Sequence, residues 1–485
     1  MNFGMFMLFP MLLLGGGMGG ANELLDYVDT KHYWKTKNIT PTATALTALI
    51  TVDPKPEDIS ALIKQLGDDD FEKREAASAA IGKKGPGVIA QLKVATKSTD
   101  AEIADRATRL IGELSGGDTD PAIHKLMIIR SLGQTKDKAA LPALLPLVDS
   151  KEPFVAEYAK RAIALIEGKP FTAAMTTAQT FEKDVWMLPK GVKLVTQLTM
   201  TSGGPVNWEN AMGGANLAAL GVNISKEEMI AQMQQGVAVA LNQTGNIRID
   251  GMTIGLAGDV GDNSGYVVVF VRGQYSREKV KNTFTKMGQE VEDLDGLPSV
   301  ETGVGMQMLM PSDELFVLFG GPPNGAAPPV KDIVAAIKTG KGTLSEDGAM
   351  SALIASANRK SGGWAVIEMT NTFRGATPMF RPFDSVIAER VSEKGKTSIK
   401  VQGTGNDADE VKAAVNQMNS VLEEARANIN QAGGFIPKNV VDFVKTLKIQ
   451  ADGKNATLTG TMEGDFEQML GGMLFPMMML GGPGF

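Results

Sequence analysis

Apolar positions recur at three- and four-residue spacing through residues 57–168. Ile59, Leu62, Ile63 and Leu66 fall on one side of a helix. The same period runs on through "FEKREAASAAIG", "VIAQL", "EIADRATRLIGEL" and "FVAEYAKRAIALIEG". Consecutive amphipathic helices are predicted there. A register repeats inside the pattern: Asp70 and Asp100, Ala77 and Ala107, and Ile81-Gly82 and Ile111-Gly112 each lie thirty residues apart. A third copy carries Glu152, Ala159 and Ile163. The acidic residue falls where a helix's first turn favours negative charge. The alanines let neighbouring helices approach. Units of this kind cannot bury their apolar faces alone and must stack.

From residue 169 the period shortens toward two and glycine becomes frequent. "GVKLVTQLTM" reads as a strand and "SKEEMIAQMQQGVAVALNQ" as a helix. "NIRIDGMTIGLAGD" and "SGYVVVFVRGQYS" read as an antiparallel pair joined by "GDVGDNSG". A helix in "SREKVKNTFTKMG" follows, then strands in "LPSVETGVGMQMLM" and "DELFVLFGG". Helices over 330–338 and 347–359 and a strand in "GWAVIEMT" complete a first α+β domain, 169–370. The grammar then recurs. "KTSIKVQGTGNDADEVKAAVNQM" echoes "GYVVVFVRGQYSREKVKNTFTKM": a strand ends at a glycine (Gly403, Gly273), and a helix carries Val411-Lys412 or Val280-Lys281. A last helix and a hairpin with strands Lys448–Gln450 and Ala456–Thr461 close a second domain, 371–467.

The helical stretch resembles HEAT-like repeats of the bacterial type, on "LIKQLGDDDFEKREAASAAIGKKG" and its successors. The copy "DPAIHKLMIIRSLG" departs from the pattern, with Met127 in place of the alanine. The resemblance implies three to four units and a protein-binding scaffold, a fold-level analogy. Residues 169–467 resemble the tandem α+β domains that follow HEAT repeats in uncharacterised bacterial proteins. That resemblance implies two related antiparallel sheets with helices on one face, and no activity. The expected organisation is multidomain: an uncharged segment 1–22, a linker 23–56, the helical solenoid 57–168, the two α+β domains, and an uncharged segment 468–485.

Composition narrows the function classes. The chain of 485 residues has a net charge of −7, which argues against a nucleic-acid binder. It has no cysteine, so thiol catalysis, disulfides and thiolate metal sites are absent together. Its two histidines, His32 and His124, lie far apart. The first reads as part of a polar linker, the second as a solvated helix residue.

Strings that imitate active sites fail on their grammar. "AAIKTGKG" has Ala335 where a phosphate loop needs its first glycine and Gly342 where it needs a hydroxyl. "GDVGDNSG" lacks the glutamate that ends a calcium loop and suits a plain turn. Carboxylates at Asp68–Asp70, Glu227-Glu228 and Glu423-Glu424 read as solvated helix positions. No cofactor and no catalytic residue is expected.

The strongest functional signal lies at the ends. "MLFPMLLLGG" (Met7–Gly16) and "MLFPMMMLGG" (Met473–Gly482) agree at eight of ten positions. Ten of the 27 methionines fall within residues 1–22 and 468–485, and neither segment holds a charge. About twenty apolar residues are needed to span a bilayer, and these runs are too short. No Lys or Arg precedes the first run, which weakens a secretion-signal reading. Burying one such side chain is worth roughly 1.5–3 kcal/mol, so both runs favour an apolar surface. The self-association candidates are Met7, Leu8, Phe9, Met11, Leu12, Leu13 and Leu14 with Met473, Leu474, Phe475, Met477, Met478, Met479 and Leu480. The expectation is a non-enzymatic, homo-oligomeric scaffold with protein partners, with the cytoplasm favoured. One alternative is a membrane-surface or envelope protein held by the same ends. The flanks "ANELLDYVD" and "MEGDFEQ" are acidic, however, and would repel anionic lipid. A second alternative is a ligand-binding module or enzyme with its site between the two sheets.

Overall fold

The computed structural model describes residues 23–50, 58–84, 88–114, 121–152, 154–171, 176–200, 225–258, 265–302, 306–321, 326–359, 362–376, 378–393, 396–431 and 438–463. The protein is mixed α+β and multidomain. It divides into a helical unit, residues 28–174 with 233–246, and a sheet unit made of the remainder.

The helical unit contains α1 (Thr30–Thr36), α2 (Ala43–Ile50), α3 (Ser60–Gln65), α4 (Phe71–Lys83), α5 (Ile89–Ala95), α6 (Ala101–Leu114), α7 (Pro121–Thr135), α8 (Leu141–Leu144) and α9 (Val155–Glu167). The thirty-residue register has a physical basis. Asp70 accepts from Glu72 N at 2.9 Å and Asp100 from Glu102 N at 2.9 Å, so both aspartates cap helix starts. Ala77 and Ala107 are buried in one cluster with Ile59, Leu66, Ile81, Leu92 and Leu110. Arg106 ties α6 to α4 by donating to Glu75 Oε1 at 2.8 Å. Further along, α7 and α9 meet at Gly133, where an added Cβ would lie 2.7 Å from Ala162 Cα.

The described part of the expected linker, residues 23–50, carries structure, including a helix at the short helical patch expected near Ala43–Ile50. Helices α1 and α2 form within them, and Trp34 and Leu46 are fully buried. The reason is chemical: Asp29 caps α1, and the Trp34 indole donates to Ser131 Oγ at 2.7 Å. A tryptophan that can bury its ring and satisfy its N–H gains more by packing than by staying wet.

The sheet unit is built on α10 (Ala178–Trp186), β1 (Val192–Thr199), α11 (Lys226–Thr244, which ends in the helical unit), β2 (Arg248–Ala257), β3 (Tyr266–Gln274), α12 (Arg277–Lys286), β4 (Val291–Leu294), β5 (Leu297–Glu301), β6 (Met306–Ser312), β7 (Leu315–Gly320), α13 (Val330–Thr339) and α14 (Gly348–Ser356). It continues with β8 (Gly363–Glu368), α15 (Asn371–Ala376), β9 (Phe383–Glu393), β10 (Lys396–Gly405), α16 (Ala408–Gln431), α17 (Lys438–Thr446), β11 (Lys448–Asp452) and β12 (Asn455–Glu463).

Two expectations are corrected here. The two sheets are one: a 12-stranded antiparallel sheet in the order β11-β12-β10-β9-β8-β1-β2-β3-β7-β6-β5-β4. Its helices cover both faces. Val195, Phe270, Val317, Trp364 and Val366 point into a cluster with Val185, Ile333, Val334 and Ile354 from α10, α13 and α14. Ile367, one residue on from Val366 and so on the opposite face, packs with Phe383, Val411 and Val415, the last two from α16. The duplicated grammar is nonetheless real in the topology. β1-β2-β3-β7-β6 and β8-β9-β10-β12-β11 have the same order, with α12 and α16 after the third strand of each. The equivalent strands β1 and β8 pair antiparallel, from Leu194↔Ile367 to Leu198↔Gly363. Each half thus ends on an open edge that matches the other, and pairing them relates the halves by an approximate two-fold axis.

Candidate functional site

The predicted self-association residues, 7–14 and 473–480, lie outside the described residues, as do 259–264 of "GDVGDNSG". The described residues nearest the two terminal runs in the chain are Glu23 and Glu463. Glu23 forms a bridge with Arg248, the first residue of β2. Arg248 already pairs with Gln274 of β3, so Glu23 occupies the side toward β1. This root is firmly held. Leu24 N donates to Ile247 O at 2.8 Å, and Glu23, Leu24, Leu25 and Asp26 are buried. Arg248 Nε donates to Asp250 Oδ1 at 2.8 Å, and Thr176 gives both its N–H (2.7 Å) and its hydroxyl (2.8 Å) to Asp250 Oδ2. Burial, reinforced by the charge of Asp26, pushes the Tyr27 phenol well above its usual range.

The other root is Glu463, the last residue of β12, paired with Lys396 of β10. The register places it at the same end of the sheet as Glu23. Gly251 pairs with Thr199, and Thr199 N donates to Gly362 O. From there Gly363 pairs with Arg390, Val391 with Ser398 and Ser398 with Thr461. Both roots lie just beyond this one row. Four strand spacings separate the β1 lane from β12, roughly 19 Å.

Other polar constellations resolve into structure. Asp184 is fully buried and accepts from Arg272 Nε at 2.8 Å. Burial pushes its carboxyl up against the opposing pull of that guanidinium. Tyr33 OH and His124 Nδ1 are 2.7 Å apart, with the Trp34 ring 5.7 Å from the imidazole. His124 is therefore not the solvated residue its sequence suggested. Burial, then the nearby Lys37 charge, lowers its pKa to about 4. His32 is exposed. The phosphate-loop imitation is a helix end: Gly340 caps α13 at φ +70°, and Gly342 N donates to Trp186 O at 2.8 Å. The carboxylate pairs are helix furniture. Ser225 and Glu228 exchange bonds as a capping box, and Glu423 accepts from Arg426 at 2.6 Å.

A cleft of about 530 Å³ opens beside β4–β7, lined by Glu290, Glu292, Glu301, Met306, Phe319 and Pro328 among others. Among the described residues, no group of three His, Asp or Glu could hold a metal ion, and no helix is long and apolar enough to cross a membrane.

No family model matches the chain, and no curated protein matches it. Solved structures of TP0453 are similar at a distance. Crystal form III aligns at 11% identity and TM-score 0.35, covering 60% of this chain and 96% of that one. Form IV gives 9% and 0.32, with 60% and 95% covered. Form I gives 10% and 0.30, with 61% and 97% covered. A likeness this loose transfers neither fold detail nor function.

Proposed function

We propose that the protein is a non-enzymatic scaffold that self-associates through its two apolar termini, while its helical repeats, HEAT-like in register, offer a face to protein partners. The observation that supports this most is the placement of Glu23 and Glu463. Glu23 and Glu463, the described residues nearest the two uncharged segments, lie at the same end of one sheet. Light scattering on the full chain and on a chain lacking residues 1–21 and 468–485 tests the reading. The full chain should give a multiple of the monomer mass and the shortened chain a single mass; equal monomeric masses would refute it. Flotation with neutral liposomes checks the lipid alternative, which predicts that the full chain rises with the vesicles and the shortened chain does not.

A further inference from the structure

We infer that the outer edge of β11, Lys448–Asp452, pairs antiparallel with the same strand of a second copy, centred on Gln450, so that two chains share one continuous sheet. This contact is separate from the apolar termini and goes beyond the reading above.

β11 ends the sheet, and among the described residues no strand pairs with its outer side. The other half of the sheet shows what such an edge accepts. By strand order β6 is the equivalent of β11, and its outer side takes β5 antiparallel, with Ser299↔Leu309 and Glu301↔Gln307. Among the described residues the second half has no counterpart of the β4–β5 hairpin. Lys448, Gln450, Ala451 and Asp452 are accordingly exposed. An edge of this kind is a ready template for another strand.

The backbone groups suit a two-fold contact. The two-residue turn Gly453–Lys454 closes on Asp452↔Asn455, which makes that a hydrogen-bonded pair. Alternation then turns the N–H and C=O of Lys448, Gln450 and Asp452 toward β12, and those of Ile449 and Ala451 outward. Asn419 Nδ2 donates to Ile449 O at 3.3 Å, which uses one of the two lone pairs of that carbonyl. A two-fold axis at Gln450 sets Ile449 opposite the partner's Ala451, twice over, as hydrogen-bonded pairs.

The charges suit the same axis. It places Lys448 directly opposite the partner's Asp452, and Asp452 opposite the partner's Lys448. Ile449 packs on the α16 side with Val411 and Val415, so both charges lie on the other face. Neither has an ion-pair partner among the described residues. Opposite charges at such cross-strand positions attract, and like charges repel. The far edge of the sheet, β4, fails this test: pairing with itself would set Glu292 against the partner's Asp293. One self-complementary edge closes a two-fold dimer instead of an open row of copies.

The chain has no cysteine, so a single one reports proximity. Gln450→Cys sets two thiols face to face on the axis, in a non-hydrogen-bonded pair with Cα atoms about 4.5 Å apart, within disulfide reach. Lys454→Cys, on the turn of the same hairpin, meets no twin in this register. Oxidised as full chains at micromolar concentration, Gln450→Cys should link chain to chain at least roughly tenfold faster than Lys454→Cys on denaturing, non-reducing gels. Adding Lys448→Glu or Asp452→Lys alone should abolish that advantage, since each opposes like charges. Mixing these two variants should restore it as a mixed dimer, identified by mass, because every charge then meets its opposite. A misfolded variant could not be rescued this way. Equal rates at the two cysteine positions overturn the pairing, and so does linking that neither charge variant slows. Linking specific to Gln450→Cys that persists without residues 1–21 and 468–485 keeps this contact standing even if light scattering refutes association through the termini.

Discussion

The indole Nε1 of Trp364 donates to Gln197 Oε1 at 3.1 Å, directly across the strand pair that joins the two halves of the sheet. Gln197 returns the satisfaction through its Nε2, which donates to Phe181 O at 2.8 Å and Thr253 Oγ1 at 3.0 Å. Both side chains are buried. The join at the pseudo-two-fold is therefore polar at its centre and apolar on either side, with Val195 beside Val366. A fully satisfied network of this kind specifies register, because sliding β1 by one residue would strand every member.

Gln197→Ala should lower stability by about 2–4 kcal/mol. It opens a small cavity and leaves the buried Trp364 N–H without its acceptor. Urea unfolding of the sheet unit should show a lower midpoint at an unchanged slope. An unaltered midpoint would mean that the network is dispensable.

Arg272→Met should cost about 3–5 kcal/mol, because it leaves the fully buried Asp184 carboxylate without its guanidinium. Replacing both, with Asp184→Leu added, should cost less than the single change, since no charge is then left behind. A double-mutant cycle in urea measures this; additive losses would contradict it.

His124 gives the helical unit a pH dependence. Its folded pKa, about 4, lies below the ordinary 6.5, so between those values the unfolded chain binds the extra proton. Stability is full above about pH 6.5 and is lost as pH falls toward 4. The loss between pH 7.5 and pH 5 should be about 2 kcal/mol. His124→Asn should show a correspondingly flatter profile in thermal unfolding over that range. Parallel profiles for the two proteins would remove the histidine from the account.

Two helix glycines should respond oppositely to alanine. At Gly133 the new methyl would meet Ala162 Cα at 2.7 Å, and overpacking costs roughly 1–3 kcal/mol. At Gly82 nothing lies within 4 Å, so the helix gains up to about 1 kcal/mol of propensity. Thermal melts of Gly133→Ala and Gly82→Ala should shift in opposite directions.

Local pattern alone determined much of this protein. The capping aspartates at 70 and 100, the buried Ala77 and Ala107, the strand–turn–helix echo at Gly273 and Gly403, and the closing hairpin are all set by neighbours a few residues away. Each was therefore legible in the sequence. The twin decapeptides were legible too, but only as composition. Tertiary structure decided what distance in sequence hides. β9 mixes Asp384, Glu389, Arg390 and Glu393 with apolar residues, and it becomes a strand because β8 and β10 flank it. That the halves share one sheet depends on β1 meeting β8 across about 170 residues, with Gln197 and Trp364 matched at the contact. His124 is half-buried, with Tyr33 and Trp34 of α1 against it. That Glu23 and Glu463 share one end of the sheet is likewise a fact of register. Hydrogen-bond pairing propagates along six strands to put Glu23 and Glu463 at one end, and no local periodicity encodes that sum.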